Sequence, residues 1–449
     1  MRTDRPNRQA LACCAALLTA LTTSCGGGGG GPSETAAGAA SHVSSPVDGT
    51  VAAGSTGSAS TDGASASANS VDASGLASAP SGVAACPAPG AAVQFDAARG
   101  FTFDASFQQS ALLERLAHLR CLGGVAPVTR EARLDLAADR HAAYLVADGS
   151  TSHEERAGAA LFSGATPGDR LRVAGYVGAT WGEVLARTGP LADDAYDGLV
   201  AAIYHRLLML SPQFDEAGVG MRATDQGSAV SVVNYAARSG IVTGRVVVYP
   251  ADGQRSVPVS FDTDREVPDP APDAGVVGYP VSLQVDRSSR LTVERFELVR
   301  VADGSAVAAS VRSGAAAAGG SGAGATADPL LGANETFLMP LAPLQAGVEY
   351  EARFAGRLDG APLTRIWRFR TLPQQPLAIV PQTTLARGEH VRVKLAGCGT
   401  RYDWTATLGL EVRLYTAGWL QVRGVQAGPG TIELRDGCGR TQRLDFTVR

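Results

Sequence analysis

The spacing of apolar positions divides this chain into stretches of different period. Between Ser106 and Leu210 they recur at the three-to-four-residue interval that puts one apolar stripe on a helix. Ser106–Cys121 aligns Leu112, Leu116 and Leu119 before Gly123-Gly124, and Thr129–Ala147 aligns Leu134, Ala138, His141 and Leu145 before Gly149. A third helix opens at Thr166-Pro167-Gly168-Asp169, where an N-cap hydroxyl, a first-turn proline and an acidic third residue form a helix start, and it ends near Gly175. A fourth spans Asp193–Leu210 and stops before Pro212. Ala217–Arg222 and Ala229–Tyr235 then alternate and read as strands.

From Thr243 the helical period is gone. Arg245–Tyr249, Val257–Phe261, Val281–Val285 and Arg295–Val301 read as strands, with turn signals at Asp252-Gly253, Asp303-Gly304 and Asp359-Gly360. Tyr350–Leu358 and Leu363–Phe369 pair as a hairpin, and the Ala/Gly-rich Ser313–Ala327 is expected to be a mobile loop. Strands at this spacing predict a β-sandwich. After Pro373, Val391–Leu395, Leu410–Leu414, Leu420–Val425 and Thr431–Leu434 form a last, smaller β unit. Trp367, Trp404 and Trp419 read as core or interface anchors, since large apolar groups are usually buried.

Composition adds the parts without a period. The chain has 449 residues and 54 glycines, many of them in low-complexity tracts. Residues 26–85 are Gly, Ser, Ala and Thr with almost no large apolar group, too little to offset ordering entropy, so a disordered leash is expected there. Arg2, Arg5 and Arg8 precede the short apolar run Ala10–Leu21, which is an export signal rather than a membrane span. Leu21-Thr22-Thr23-Ser24-Cys25 followed by glycines resembles a bacterial lipoprotein signal, which implies lipid on Cys25 and a membrane anchor at the periplasmic side or cell surface. The formal net charge is −4 without a basic stripe, so nucleic acid is not an expected partner. Cys13 and Cys14 leave with the signal. The remaining Cys86, Cys121, Cys398 and Cys438 suit two disulfides in an oxidising compartment; three pairings are open, the local one joining Cys86 with Cys121 and Cys398 with Cys438.

The candidate chemistry lies in three short pieces, Ser152-His153-Glu154-Glu155, Gly182-Glu183 and Tyr204-His205-Arg206. Two imidazoles and a carboxylate suit a divalent ion, zinc above others, with a coordination position left open. Without metal they form an acid–base pair near neutrality. His141 points inward on its helix as a core histidine or a further cleft group.

These pieces also carry a resemblance. His141-Ala-Ala-Tyr144-Leu145, Ser152-His153, Thr166-Pro167-Gly-Asp169-Arg170, Ala174-Gly175-Tyr176, Gly182-Glu183, Tyr204-His205-Arg206 and Gly218-Val219-Gly220 occur in an order that resembles a bacterial CAP domain, the superfamily of cysteine-rich secretory, antigen 5 and pathogenesis-related 1 proteins. The resemblance implies an αβα sandwich around an antiparallel sheet and a cleft lined by two His and two acidic residues. It assigns His153 and His205 as the histidines and Glu183 as one acid, and leaves the second acid between Glu155 and Glu154. The β part resembles immunoglobulin-like modules of bacterial surface proteins.

The expected fold class is therefore α+β followed by all-β. Residues 1–25 are a lipoprotein signal, 26–85 a linker, 86–240 a CAP domain, 241–372 an immunoglobulin-like sandwich and 373–449 a small disulfide-bonded β domain. The expected function is that of an anchored envelope protein whose cleft binds a metal or a small-molecule, lipid or protein ligand without catalysis. The alternatives are a metal-assisted extracellular hydrolase and an adhesion or scaffold protein acting through its β domains.

Overall fold

In the computed structural model the described residues are 42–44, 86–90, 103–178, 180–225, 227–237, 245–314, 324–398, 402–416 and 418–449. The signal segment with Cys25, most of the expected leash and the centre of the Ser313–Ala327 loop lie outside them, as does the expected boundary near residue 240.

The helical region forms α1 (Ala105–Leu122), α2 (Ala132–Asp148), α3 (Pro167–Val173), α4 (Ala192–Ala201) and α5 (Ile203–Met209). Its strands are β1 (His42–Ser44), β2 (Thr129–Arg130), β3 (Thr180–Thr188), β4 (Glu216–Ala223) and β5 (Ala229–Ala237). They make one sheet in the order β1-β3-β5-β4-β2, with β3, β5 and β4 antiparallel and β2 parallel to β4. Alternation along the strands gives the sheet two apolar faces, each needing a helical cover. Leu185, Val230 and Val232 pack with α2 on one side, while Val184, Val219 and Val233 share a core with α1 and α4 on the other. The three-layer α+β architecture agrees with expectation.

Local chemistry explains the helix ends. The Asp104 carboxylate caps α1 by accepting from Phe107 N–H at 3.0 Å. Thr166 and Asp169 close a reciprocal capping box on α3. α2 begins at Ala132, after a Glu131 cap, so Thr129–Arg130 is strand and not the helix start expected there. Gly218 and Gly220 of β4 lie against the backbone of α2 at Leu134–Asp135 and Ala138–Asp139, where a Cβ would collide. That contact is why this strand reads Gly-Val-Gly.

Two expectations need correction. The long fourth helix is two helices, broken at Ala202, whose backbone is extended (φ −68°, ψ 118°). And β3, a nine-residue strand at the centre of the site, was anticipated only as its Gly-Glu pair, because it mixes Trp, Glu and Arg with small residues.

The all-β region holds two sandwiches. The first faces a five-stranded sheet, centred on Val281–Gln284 and Glu335–Pro340, against a four-stranded one centred on Glu349–Leu358 and Ala361–Thr371. Asp359 and Gly360 join the last two strands with positive φ at both positions (50° and 85°), the hairpin geometry that matches strand twist. Trp367 is buried in this core beside Phe296 and Phe354. The second sandwich packs two four-stranded sheets around Val391, Leu420, Ile432 and Phe446. Trp419 is buried and Trp404 half-buried.

Both local disulfides are present, Cys86–Cys121 and Cys398–Cys438, with Cα–Cα distances of 5.8 and 5.6 Å.

Candidate functional site

Glu183 sits mid-strand in β3, opposite Asn234 of β5, which in turn lies opposite Gly218 of β4. The carboxylate is fully buried on the α2 side of the sheet. A buried charge needs partners, and two are supplied. Arg170, carried inward on the short α3, donates from Nη2 to both carboxylate oxygens at 2.8 and 2.9 Å. His153 Nδ1 donates to Oε1 at 2.8 Å from the loop after α2. Burial pushes the Glu183 carboxyl up, but the Arg170 charge and the His153 bond outweigh it and hold it at about 2.

A second buried pair backs the first. His141 Nδ1 faces Glu155 Oε1 at 2.8 Å and Nε2 faces the Ser152 carbonyl at 2.9 Å. Both ring nitrogens thus face oxygen atoms of the buried network. Glu155 also accepts from Ser163 N–H at 2.6 Å and its hydroxyl at 3.0 Å. Burial raises this carboxyl, and the His141 and Ser163 bonds more than reverse the shift. Of the two acids left open by the sequence, Glu155 joins the network and Glu154 is exposed. His141 is a satisfied core histidine.

His205 belongs to a different node. Its Nδ1 lies 3.1 Å from Glu266 Oε1, a residue of the β region. Glu266 is buried and also accepts the Ile203 and Tyr204 N–H groups at 2.6 and 2.7 Å. These are orphan donors of α5, so Glu266 satisfies the helix that the break at Ala202 creates. The next residue, Arg206, turns to the same neighbour: it donates to the Pro280 carbonyl at 2.7 Å and lies over the rings of Tyr249 and Tyr279 at 5.0 and 4.7 Å. The Tyr-His-Arg piece thus builds the joint between the helical module and the first sandwich.

The two nodes meet across a cavity of about 250 Å³ with His153 and His205 on its wall. Leu185, Leu199 and Ala202 supply apolar wall from the helical module, and Arg265 and Val267 close it from the β region. His153, Glu183 and His205 are therefore in one place, but only the first two touch.

Among known families, the model of the Cysteine-rich secretory protein family, CAP, matches residues 113–235. This stretch of the chain is a CAP domain. Among solved structures, the chain is similar to an extracellular protein containing a SCP domain from Bacillus anthracis, with 18% identity over 30% of this chain and 41% of that one, at a TM-score of 0.26. It is also similar to an outer surface protein from Borrelia burgdorferi, with 18% identity over 31% of this chain and 99% of that one, at a TM-score of 0.27. Murine CEACAM1b shares 13% identity over 38% of this chain and 92% of that one, at a TM-score of 0.15. No curated protein matches.

Glu183 is not placed as a ligand of the expected zinc ion. A metal-binding carboxylate must offer lone pairs, and both Glu183 oxygens accept from a guanidinium that a cation would have to displace. Among the described residues no group of three or more His, Cys, Asp or Glu is placed to hold a metal ion.

Two site residues were not anticipated as such. Arg170 had only a faint signal, its place after a capping box, since Arg172 on the same seven-residue helix faces solvent. Glu266 had none, lying in the patternless Thr263–Pro270 segment.

Proposed function

We propose that this is an exported, lipid-anchored envelope protein whose CAP domain holds a small ligand in the cavity between His153 and His205 and does not turn it over. The cavity carries this reading: two imidazoles, one from each node, face one half-open space, and each is oriented by a buried carboxylate through Nδ1. Its volume of about 250 Å³ is below the usual span of drug-sized pockets, which favours a small occupant. The hydroxyls on the described wall belong to Thr151 and Thr188, and neither is hydrogen-bonded to one of the two histidines in the geometry above. Export is supported by the N-terminal signal and by two disulfides that join the nearest cysteines in sequence. The Cys25 context supports the anchor.

Native mass spectrometry of the full chain, extracted from bacterial membranes in mild detergent, tests both parts at once. The expected spectrum shows an acylated N-terminus at Cys25 and a small non-covalent mass that the His153→Ala/His205→Ala protein lacks. Cleavage elsewhere without acyl mass overturns the anchor. A bound mass unaffected by the double substitution overturns the pocket.

A further inference from the structure

The wall of the cavity has an uneven charge. Its ionisable members among the described residues are His153, His205, Arg187 and Arg265, with no carboxylate residue among them. The acids nearby stand behind the rings and are already engaged, Glu183 by Arg170 and His153, Glu266 by the α5 amides and His205. Arg187 is half-buried on β3, and its Nη2 donates to the Leu145 and Ser150 carbonyls at 2.9 Å each. Those neutral oxygens fix the guanidinium without cancelling its charge. Burial accordingly pulls the Arg187 pKa below the ordinary arginine value. Arg265, on the opposite wall, makes no ion pair or hydrogen bond among the described residues; Asp262 and Asp194 act on it only at longer range. Two arginines without a bound carboxylate, one pinned in place, line a half-open space with apolar sides.

We propose that this cavity is an anion site that seats a small carboxylate, its charge between Arg187 and Arg265 and its short apolar body against Leu185, Leu199 and Val267. The proposal rests on the reading of the cavity as a ligand pocket and reverses the sign of the ligand that the two histidines suggest. A guanidinium presents paired donors to a carboxylate, and the geometry of opposing walls lets the two arginines share it. The His205 ring, with Nδ1 held by Glu266, has Nε2 left to add a further hydrogen bond. A cation of equal size finds no counter-charge on the wall.

Thermal unfolding and calorimetric titration of the full chain with hexanoate, hexanol, hexylammonium and zinc chloride test this. Hexanoate is expected to raise the melting temperature, as any ligand of the native state does, with hexanol weaker and the two cations without effect. Arg265→Gln should weaken hexanoate about tenfold and leave hexanol unchanged, because it removes one charge-assisted contact from an exposed, unpaired side chain. Val267→Trp, which fills the cavity from its exposed rim, should abolish both responses. Equal binding of hexanoate and hexanol, or preference for hexylammonium or zinc, overturns the anion assignment while the pocket stands. Hexanoate binding that survives Val267→Trp, or no response to any probe, overturns the pocket as well.

Discussion

The two histidines that the sequence pairs live under opposite constraints. His153 belongs to a network contained within the CAP domain, in which Glu183, Arg170, Glu155 and His141 are buried and partnered by side chains of the same domain. His205 belongs to a joint, held by a carboxylate from the next domain. The first arrangement survives only if every member stays, because each charge has no water to fall back on. The second depends on how two domains sit together. A cavity between the two nodes therefore has one rigid wall and one wall set by docking, and any ligand feels both.

The largest expected effect breaks the rigid side. Arg170→Met leaves the Glu183 carboxylate buried without its main partner and should cost about 3–5 kcal/mol in urea unfolding. A loss below about 1 kcal/mol would show that the network is not a charge-balanced core.

Next, the same node should dominate acid unfolding. The Glu183 carboxyl is depressed from an ordinary 4.5 to about 2. Its contribution to stability is therefore fully present above about pH 4.5 and is lost as pH falls toward 2, about 3 kcal/mol in all. The Glu183→Gln protein should lack this slope; an unchanged slope in that variant would place acid sensitivity elsewhere.

The smallest effect concerns the joint. Glu266→Ala should cost about 1–3 kcal/mol, the price of orphaned helix donors and a lost ring contact. Hydrogen exchange at the Ile203 and Tyr204 amides should quicken about tenfold while β3 amides keep their protection. Equal loss of protection in β3 would merge the two nodes into one.

How much of this was legible follows the same division. Interactions close in sequence leave a signal: the Thr166–Asp169 capping box and the Asp359-Gly360 hairpin were readable because their partners are near neighbours along the chain, whereas the cysteines pair across 35 and 40 positions and three pairings stood open. The helix faces were readable because burial imposes a period. Glu183 and His153 were marked by an ordered set of short motifs, but their partner Arg170 was hidden, since nothing in a charged residue's surroundings says whether it faces water or a buried acid. The break at Ala202 was invisible. The apolar period continues through it, and the residue that stabilises it, Glu266, lies 63 positions from Ile203. Zinc was the natural expectation from residue types alone; only the geometry shows both Glu183 oxygens already taken.

The Cys86–Cys121 bridge also fixes how this protein carries mechanical load. Tension applied at the N-terminal side of Cys86 passes through the covalent bridge directly to Cys121, so residues 87–120, with nearly all of α1, stay off the force path. The pull arrives instead beside Arg120, whose guanidinium grips the Met209, Ser211 and Phe214 carbonyls at 2.7–3.0 Å. A pull on the chain ahead of Cys86 is thus delivered to a buried part of the CAP core rather than to a helix end that could be peeled away.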